Sequence, residues 1–362
     1  MNNFTTHSLD EVGLIPAVIS DIAHRSECNT LNEDEMLPLF TAPMNCLIND
    51  SNYEIFNQHK INTVIPRGVD LSIRLQLIHK TFVSMGLDEF EKIFLKEELI
   101  IPEDQCWHVC VDIAHGHLRR LIDLCSKVKE VWGGKVIIMT GNIANAETYY
   151  KYAEAGIDYV RLGIGGGQGC LTSVQTGVHY GQVELLIETA SVKECVKSKI
   201  EAGDKTFKSL PGIIADGGFN SYSKIIKALA LGADYVMLGK TLTECEEACG
   251  ETEKYIYKEY DRSIFPYTRT DDGTSLRYLL KREYYGMSTK RAQKESGKST
   301  FKTSEGVETT VIVKYPLKKW VENFTDYLTS AMSYCNCKTL DEFRNYPEWV
   351  FLSQTELQNV NK

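Results

Sequence analysis

One glycine-rich loop contains the residue best suited to covalent chemistry. Residues 163–172 read Gly-Ile-Gly-Gly-Gly-Gln-Gly-Cys-Leu-Thr, with five glycines in the first seven positions. Glycine stabilises a fold poorly, so the backbone here must need positive φ or a close approach to another group. The amides and carbonyls of such a loop can hold a phosphate or an ion. In that setting the Cys170 thiol can act as a nucleophile beside the Thr172 hydroxyl, although a cysteine can also be simply a small apolar side chain.

Two short motifs elsewhere are suited to binding a nucleotide. Asp216-Gly217-Gly218 stands between a predicted strand and a predicted helix. There the carboxylate can accept from a ribose diol while the amides and the helix N-terminus face a phosphate. A tight turn with a helix cap is the alternative interpretation. Gly239-Lys240 follows the next predicted strand and is a second candidate for phosphate binding.

Polar side chains also end other predicted strands. Asp112 can accept a hydrogen bond from a ligand, or it can cap the following helix. Asn142 can contact a base, or it can belong to a turn. Arg67 ends a third strand. These residues become a site only if the fold brings the strand ends together.

The elements that would position these residues are short apolar runs alternating with amphipathic segments. Such runs are typical of parallel strands buried on both faces. The predicted strands cover residues 39–44, 61–67, 80–86, 107–113, 135–141, 158–163, 212–216 and 234–239. The clearest predicted helices cover residues 117–131, 145–155, 182–202 and 221–231. Eight strands in βα alternation predict a (β/α)₈ TIM barrel, with its chemistry at the C-terminal strand ends. A doubly wound open sheet is the alternative.

The polar segment 250–319 does not fit a plain barrel. It is rich in Lys, Thr, Ser and Glu and contains no clear helical pattern, so we interpret it as a flap, a binding loop or a disordered insertion. Glu305-Gly306 offers a carboxylate within it, which solvation alone would also explain. Residues 320–328 then predict a helix that packs back on the barrel. We therefore expect one catalytic domain over residues 1–362, with 250–319 as an insertion.

Composition narrows the class of protein further. The 362 residues include 49 acidic and 40 basic side chains, and this excess of negative charge argues against a dedicated nucleic-acid binder. No apolar run reaches the length of a membrane helix, and the N-terminus does not have the pattern of a signal peptide. Eleven cysteines without a CxxC pair indicate free thiols. We expect a cytoplasmic enzyme.

Taken together, these motifs resemble the inosine monophosphate dehydrogenase / guanosine monophosphate reductase family along most of the chain. The resemblance rests on residues 8–17, 42–44, 111–116, 141–142, 163–172, 215–218, 228–239 and 285–288. The cysteine loop and the Ala-Leu-Gly-Ala-Asp run are its most specific parts. It implies a (β/α)₈ barrel that binds a purine nucleotide beside a nicotinamide cofactor, in a homotetramer.

The resemblance also implies roles for individual residues. Cys170 matches the nucleophile that attacks C2 of the purine, and Thr172 matches the residue that assists proton transfer. The carbonyls of Gly165, Gly167 and Cys170 match a monovalent-cation site that would hold K⁺. The implied substrate-binding residues are Gln168, Asp216, Gly217, Gly218, Gly239, Lys240, Gly286, Met287, Ser288, Lys302, Ser304 and Gly306. The implied cofactor-binding residues are Arg67, Asp112, Asn142, Ile164 and Gly165.

Within the family, the sequence is more similar to the reductases. Residues 285–289 and 301–306 resemble reductase motifs, and residues 67–80 leave no room for the regulatory domains of the dehydrogenases. The expected reaction is NADPH-dependent conversion of GMP to IMP and ammonia, with Glu305 and Thr172 protonating the departing amine. Gln168 and Lys240 depart from the family pattern, and Lys240 adds a positive charge beside the expected phosphate. The alternatives are an IMP dehydrogenase without regulatory domains and an inactive nucleotide-binding paralogue.

Overall fold

A computed structural model describes residues 5–166, 171–257, 269–270, 277–295 and 306–360. The strands are β1 (Val12–Leu14), β2 (Leu39–Thr41), β3 (Val64–Ile65), β4 (Phe82–Met85), β5 (Trp107–Asp112), β6 (Val136–Ile143), β7 (Tyr159–Leu162), β8 (Gly212–Asp216), β9 (Tyr235–Leu238), β10 (Thr252–Tyr257), β11 (Arg269–Thr270), β12 (Arg277–Tyr285), β13 (Glu308–Ile312) and β14 (Trp349–Phe351).

The α-helices are α1 (Tyr53–Gln58), α2 (Leu71–Leu77), α3 (Leu87–Glu91), α4 (Arg119–Trp132), α5 (Thr148–Ala155), α6 (Thr172–Thr176), α7 (Gln182–Glu201), α8 (Tyr222–Ala230), α9 (Lys240–Thr243), α10 (Lys290–Glu295), α11 (Leu317–Tyr334), α12 (Leu340–Arg344) and α13 (Gln354–Val360). Among the described residues, no helix combines the length and the hydropathy needed to cross a membrane.

Strands β2 to β9 form the barrel that the sequence predicts. They pair in parallel in the order β2-β9-β8-β7-β6-β5-β4-β3. The seam between β2 and β3 is closed by backbone hydrogen bonding, in which the amide of Thr41 donates to the carbonyl of Asn62 over 2.9 Å. Each of the eight apolar runs overlaps one of these strands, so the predicted (β/α)₈ architecture is confirmed and the open sheet is excluded.

Aromatic side chains fill the barrel at the N-terminal ends of its strands. Phe40 of β2 packs against Phe82 of β4 and Tyr235 of β9, with ring centroids 5.7 and 5.1 Å apart, and Tyr159 of β7 lies 5.7 Å from Phe82. Large rings fill this end as a packed core, as barrel interiors require. The charged residues of the strands, Asp112, Arg161 and Asp216, lie towards the opposite end.

Of the alternatives for segment 250–319, the disordered insertion is wrong for its described part, which forms an antiparallel sheet. Strand β12 pairs antiparallel with β10 on one side and with β11 and β13 on the other, and α10 follows β12. Residues 252–256 of β10 are exposed, so this part of the strand is held by backbone pairing and shows no apolar periodicity. Because β12 ends at Tyr285, the sheet leads directly into Gly286-Met287-Ser288.

The predicted helix at 320–328 is confirmed and is longer than expected, since α11 spans Leu317–Tyr334. Trp320 and Phe324 are fully buried, and the Trp320 ring lies 5.4 Å from Tyr222 of α8. Strand β14 then pairs antiparallel with β1, which brings the two ends of the described chain together. Ten cysteines lie in the described residues, and all ten are free thiols.

Candidate active site

A cavity of about 590 Å³ lies at the C-terminal ends of the barrel strands. The predicted site residues in its lining are Arg67, Asp112, Asn142, Ile164, Gly165, Thr172, Asp216, Gly217, Gly218, Gly239, Lys240, Gly286, Met287 and Ser288. The fold therefore brings together residues that are separated by more than 200 positions in the sequence. Their individual roles stay predictions.

Seven further predicted site residues are not among the described lining residues, six of them because they are not described. Gly306 is described and buried, but it lies outside the cavity wall. Six others fall outside the described residues: Gly167, Gln168, Cys170, Lys302, Ser304 and Glu305.

A buried arginine that the sequence reasoning missed lies at the centre of the site. Arg161 of β7 donates from Nη1 to Oδ1 of Asp112 over 2.8 Å, and from Nη2 to Oδ2 of Asp216 over 2.9 Å. Its Nε donates to the same Asp216 oxygen over 3.2 Å. A charged residue inside an apolar strand is rare unless it is paired, so Arg161 in Tyr-Val-Arg-Leu was the available signal.

Two more cavity residues complete this charge cluster. Nδ2 of Asn142 donates to Oδ2 of Asp216 over 2.8 Å and to the carbonyl of Gly163 over 2.9 Å. Nη2 of Arg67 lies 3.4 Å from Oδ2 of Asp112. Two guanidinium groups and two carboxylates therefore balance in a largely buried cluster, as buried charges must.

The electrostatics keep both partners of the central ion pair charged. Burial raises the pKa of Asp112, but the positive charges of Arg161 and Arg67 outweigh it, and the pKa is lowered overall. Burial likewise lowers the pKa of Arg161, yet Asp216 and the other negative neighbours raise it well above its usual value. Asp112 is therefore an acceptor of hydrogen bonds at neutral pH.

The start of the cysteine loop packs against the Asp216 turn. Gly163 and Gly218 both have positive φ, at 125° and 88°. A Cβ on Gly163 would lie 2.2 Å from the carbonyl oxygen of Asp216, and one on Gly218 would lie 3.0 Å from the carbonyl oxygen of Gly166. Only glycine permits this close approach, which confirms the conformational reason for glycines in this part of the loop.

The second candidate phosphate position lies where β9 ends. Gly239 and Lys240 are in the cavity wall, and Nζ of Lys240 is 3.9 Å from Oε1 of Glu244. That carboxylate makes a shorter contact of 2.6 Å with Nζ of Lys314. Lys240 is therefore only loosely held by Glu244, and its ammonium is available to an anion in the cavity.

The segment after β12 is fixed over the barrel by a second residue that sequence reasoning missed, Glu295 of α10. Its carboxylate accepts from the Tyr285 hydroxyl over 3.1 Å, from Nε of Arg291 over 3.1 Å and from Nδ2 of Asn45 over 2.5 Å. Asn45 lies in the loop between β2 and α1. These contacts hold Gly286-Met287-Ser288 against the cavity, and nothing in the local sequence indicated them.

In the described part of the chain, no group of three or more His, Cys, Asp or Glu side chains is arranged to hold a metal ion. Of the three carbonyls expected at a monovalent-cation site, only that of Gly165 is described. It accepts from the Ser173 hydroxyl over 3.3 Å.

The fold and site are those of a (β/α)₈ barrel in which the glycine-rich residues 163–166 and an Asp-Gly-Gly turn line one cavity. The sequence model of the IMP dehydrogenase / GMP reductase domain matches residues 80–361, and the chain belongs to this family.

The curated relatives cover most of the chain. It is 28% identical over 350 residues to a GMP reductase of Oceanobacillus iheyensis, with 93% of each chain covered. It is 29% identical over 349 residues to a GMP reductase of Clostridium acetobutylicum, with 92% of each chain covered. It is also 31% identical over 254 residues to an inosine-5'-monophosphate dehydrogenase of Chlorobaculum parvum, which covers 69% of this chain and 46% of that protein.

Proposed function

We propose that this chain is an NADPH-dependent GMP reductase, which converts GMP to IMP and ammonia. The observation that carries the proposal is the convergence of the predicted nucleotide and cofactor residues on one cavity. The relatives named GMP reductase support it, because they match 92–93% of both chains.

The nucleotide subsite is assigned to the β8 and β9 ends of the cavity. Oδ2 of Asp216 is occupied by Arg161 and Asn142, which leaves Oδ1 for the ribose hydroxyls. The amides of Gly217 and Gly218 and the ammonium of Lys240 are suited to the phosphate. Met287 and Ser288 then face the base from the segment after β12. A reduced nicotinamide fits the other side, beside Asp112, Asn142 and Arg67.

The proposed chemistry needs a nucleophile and a proton donor from the cysteine loop and the flap. The Cys170 thiol adds to C2 of the guanine, and the C2–N bond breaks as Thr172 and Glu305 deliver a proton to the departing amine. NADPH supplies the hydride that replaces sulfur at C2 and releases the thiol. The balance is GMP + NADPH + 2 H⁺ giving IMP + NH₄⁺ + NADP⁺, so no water-activating residue is required.

The first experiment follows NADPH absorbance with purified protein, GMP and K⁺. We expect loss of absorbance together with stoichiometric ammonium. Cys170→Ala should abolish turnover and retain GMP binding by calorimetry, since the missing atom is the nucleophile. Turnover above trace level in that variant would contradict the covalent mechanism.

Replacing K⁺ with Li⁺ should lower the rate if carbonyls of the Cys170 loop hold a cation of the size of K⁺.

The second candidate is an IMP dehydrogenase without regulatory domains, which the similarity to the Chlorobaculum parvum enzyme favours. Oxidation of IMP by NAD⁺, with no consumption of NADPH in the presence of GMP, would establish it.

We further propose a cytoplasmic homotetramer. Exposed Val18 and Ile19, at 101% and 74% of full exposure, are candidates for subunit contacts. Light scattering after size exclusion measures the assembly directly.

A further inference from the structure

The guanidinium of Arg161 is the only described group that contacts both Asp112 and Asp216. Its Nη1 contacts Asp112, while its Nε and Nη2 contact Asp216. Nη1 also lies 3.6 Å from Sγ of Cys110. Four of the five guanidinium N–H groups are thus directed at side chains of this protein. Arg161 also lines the cavity, and we expect it to act on a ligand chiefly through these neighbours.

Each aspartate keeps one oxygen for a ligand. Among the described residues, no donor reaches Oδ1 of Asp216, and Oδ2 of Asp112 has only the long contact of 3.4 Å with Arg67. The aspartates end strands β5 and β8, and Arg161 reaches both from β7, which lies between those two strands in the sheet order. Its planar fork therefore fixes the direction of both remaining oxygens at once.

We propose that Arg161 is a positioning residue that serves the two ligand subsites together, setting Asp216 for the nucleotide ribose and Asp112 for the cofactor. This proposal rests on the proposed function for the identity of the two ligands. A lysine at the same place keeps the positive charge but presents a single ammonium. It cannot hold both carboxylates in the observed directions.

The test is a pair of saturation curves, one for GMP and one for NADPH, on purified variants. We expect Asp216→Asn to raise KM for GMP and Asp112→Asn to raise KM for NADPH. Arg161→Lys should raise both, each by roughly tenfold, with a smaller effect on kcat.

Combining the variants separates positioning from general damage. In an Asp216→Asn background, Arg161→Lys should add nothing further to KM for GMP and should still raise KM for NADPH. In an Asp112→Asn background the pattern should reverse, because a residue that acts through a partner loses its effect with that partner.

A matched control is available in Arg74, another buried arginine. It donates to both carboxylate oxygens of Glu89 at 3.0 and 2.9 Å, outside the cavity lining. Arg74→Lys should lower the melting temperature and leave both KM values unchanged. If Arg161→Lys behaves in the same way, or raises only one KM, the proposal is overturned.

A second variant gives a readout that a purely structural role would not move. Arg161→Met removes the charge between two carboxylates, so one of them should take up a proton near neutral pH. The protonated carboxyl is a poorer acceptor, so KM for at least one ligand should be highest near pH 6 and fall towards pH 8 as that proton is lost, and Arg161→Lys should abolish this dependence. Arg161 contacts Asp112, Asp216 and Cys110, while Asn142 contacts Asp216 and Arg67 contacts Asp112.

Failure of the proposed function would be recognised separately, in the wild-type protein. If it consumes no NADPH with GMP but oxidises IMP with NAD⁺, the same variants are measured with those ligands, and the same pattern of KM values is expected. A wild-type protein that turns over neither pair is tested by calorimetry with GMP alone. There, an Arg161→Lys affinity equal to that of wild type would overturn the role of Arg161.

Discussion

At the scale of single residues, Gly163 is a point of close approach between the described part of the cysteine loop and the Asp216 turn. Its φ is 125°, and a Cβ there would lie 2.2 Å from a backbone oxygen that no rotamer change can move. We expect Gly163→Ala to displace Asp216, raise KM for the nucleotide at least tenfold, and lower the free energy of unfolding by about 2–4 kcal/mol. Urea denaturation and GMP saturation measure the two effects.

Gly177 is the matched control, because it also has positive φ, at 72°, and no described atom lies within 4 Å of an added Cβ. Gly177→Ala should cost only the backbone strain, about 1–2 kcal/mol, with no change in KM. Equal effects on KM in the two variants would show that the close approach at Gly163 does not matter for binding.

Sequence reasoning found the acidic and amide residues of the cavity because each is a polar residue at the end of an apolar run. Asp112, Asn142 and Asp216 are all of this kind, and the barrel rule then places them at one face. Arg161 escaped because it lies within a strand. Its type indicates a buried ion pair, but the identity of its partners depends on which strands lie beside β7 in the closed barrel.

At the scale of elements, Arg282 joins the antiparallel sheet to the barrel. Its guanidinium donates to the carbonyls of Thr243, Cys245, Glu246 and Gly250. Arg282 as a whole is only 3% exposed. Burial lowers its pKa, although the nearby cysteine side chains and Glu247 oppose that shift.

We expect Arg282→Met to leave these carbonyls without their donor and to lower the free energy of unfolding by about 3 kcal/mol. KM for the nucleotide should rise as well, because β12 leads into Gly286-Met287-Ser288. Arg269→Met in the same sheet removes only a partly exposed contact of 2.6 Å with Glu246. It should cost less than about 1 kcal/mol. The prediction is wrong if the two variants lose similar stability in urea.

The elements that were predicted and those that were missed differ in what stabilises them. The barrel strands are apolar on both faces, so continuous hydrophobic runs marked them. Strand β10 has exposed side chains, and its cross-strand contacts include the ammonium of Lys281 3.5 Å from the ring centroid of Tyr255. Cation–π contacts and backbone ladders leave no periodic hydrophobic signal in the sequence.

At the scale of the whole molecule, the change of stability on acidification separates the effect of specific buried groups from the effect of the net charge. The net charge is −9 at pH 7, and it shrinks towards the sequence pI of about 5.5. General repulsion therefore weakens as the pH falls. A loss of stability over this range must come from particular sites that resist protonation in the folded state.

Two histidines are such sites. Burial lowers the pKa of His108 inside β5 and of His117 in the loop after it. His117 also accepts at Nε2 from the Ala144 amide over 3.0 Å, a bond that requires this nitrogen to be unprotonated. Because the folded-state pKa lies below the unfolded value of about 6.5, the unfolded chain binds more protons in between. The stabilisation is complete above that value and is lost as the pH falls through the folded-state pKa.

We therefore expect the free energy of unfolding to be flat with respect to these histidines from pH 7.5 to 8.5 and to fall by about 1–3 kcal/mol between pH 7 and 5. His117→Gln should reduce that slope, since it removes one of the two protonation sites. Asp158, whose pKa burial raises, acts in the opposite direction at the acid end, so the change in slope is more diagnostic than the total. Urea titrations at each pH measure it, and a slope in His117→Gln equal to or steeper than that of wild type would contradict the role of His117.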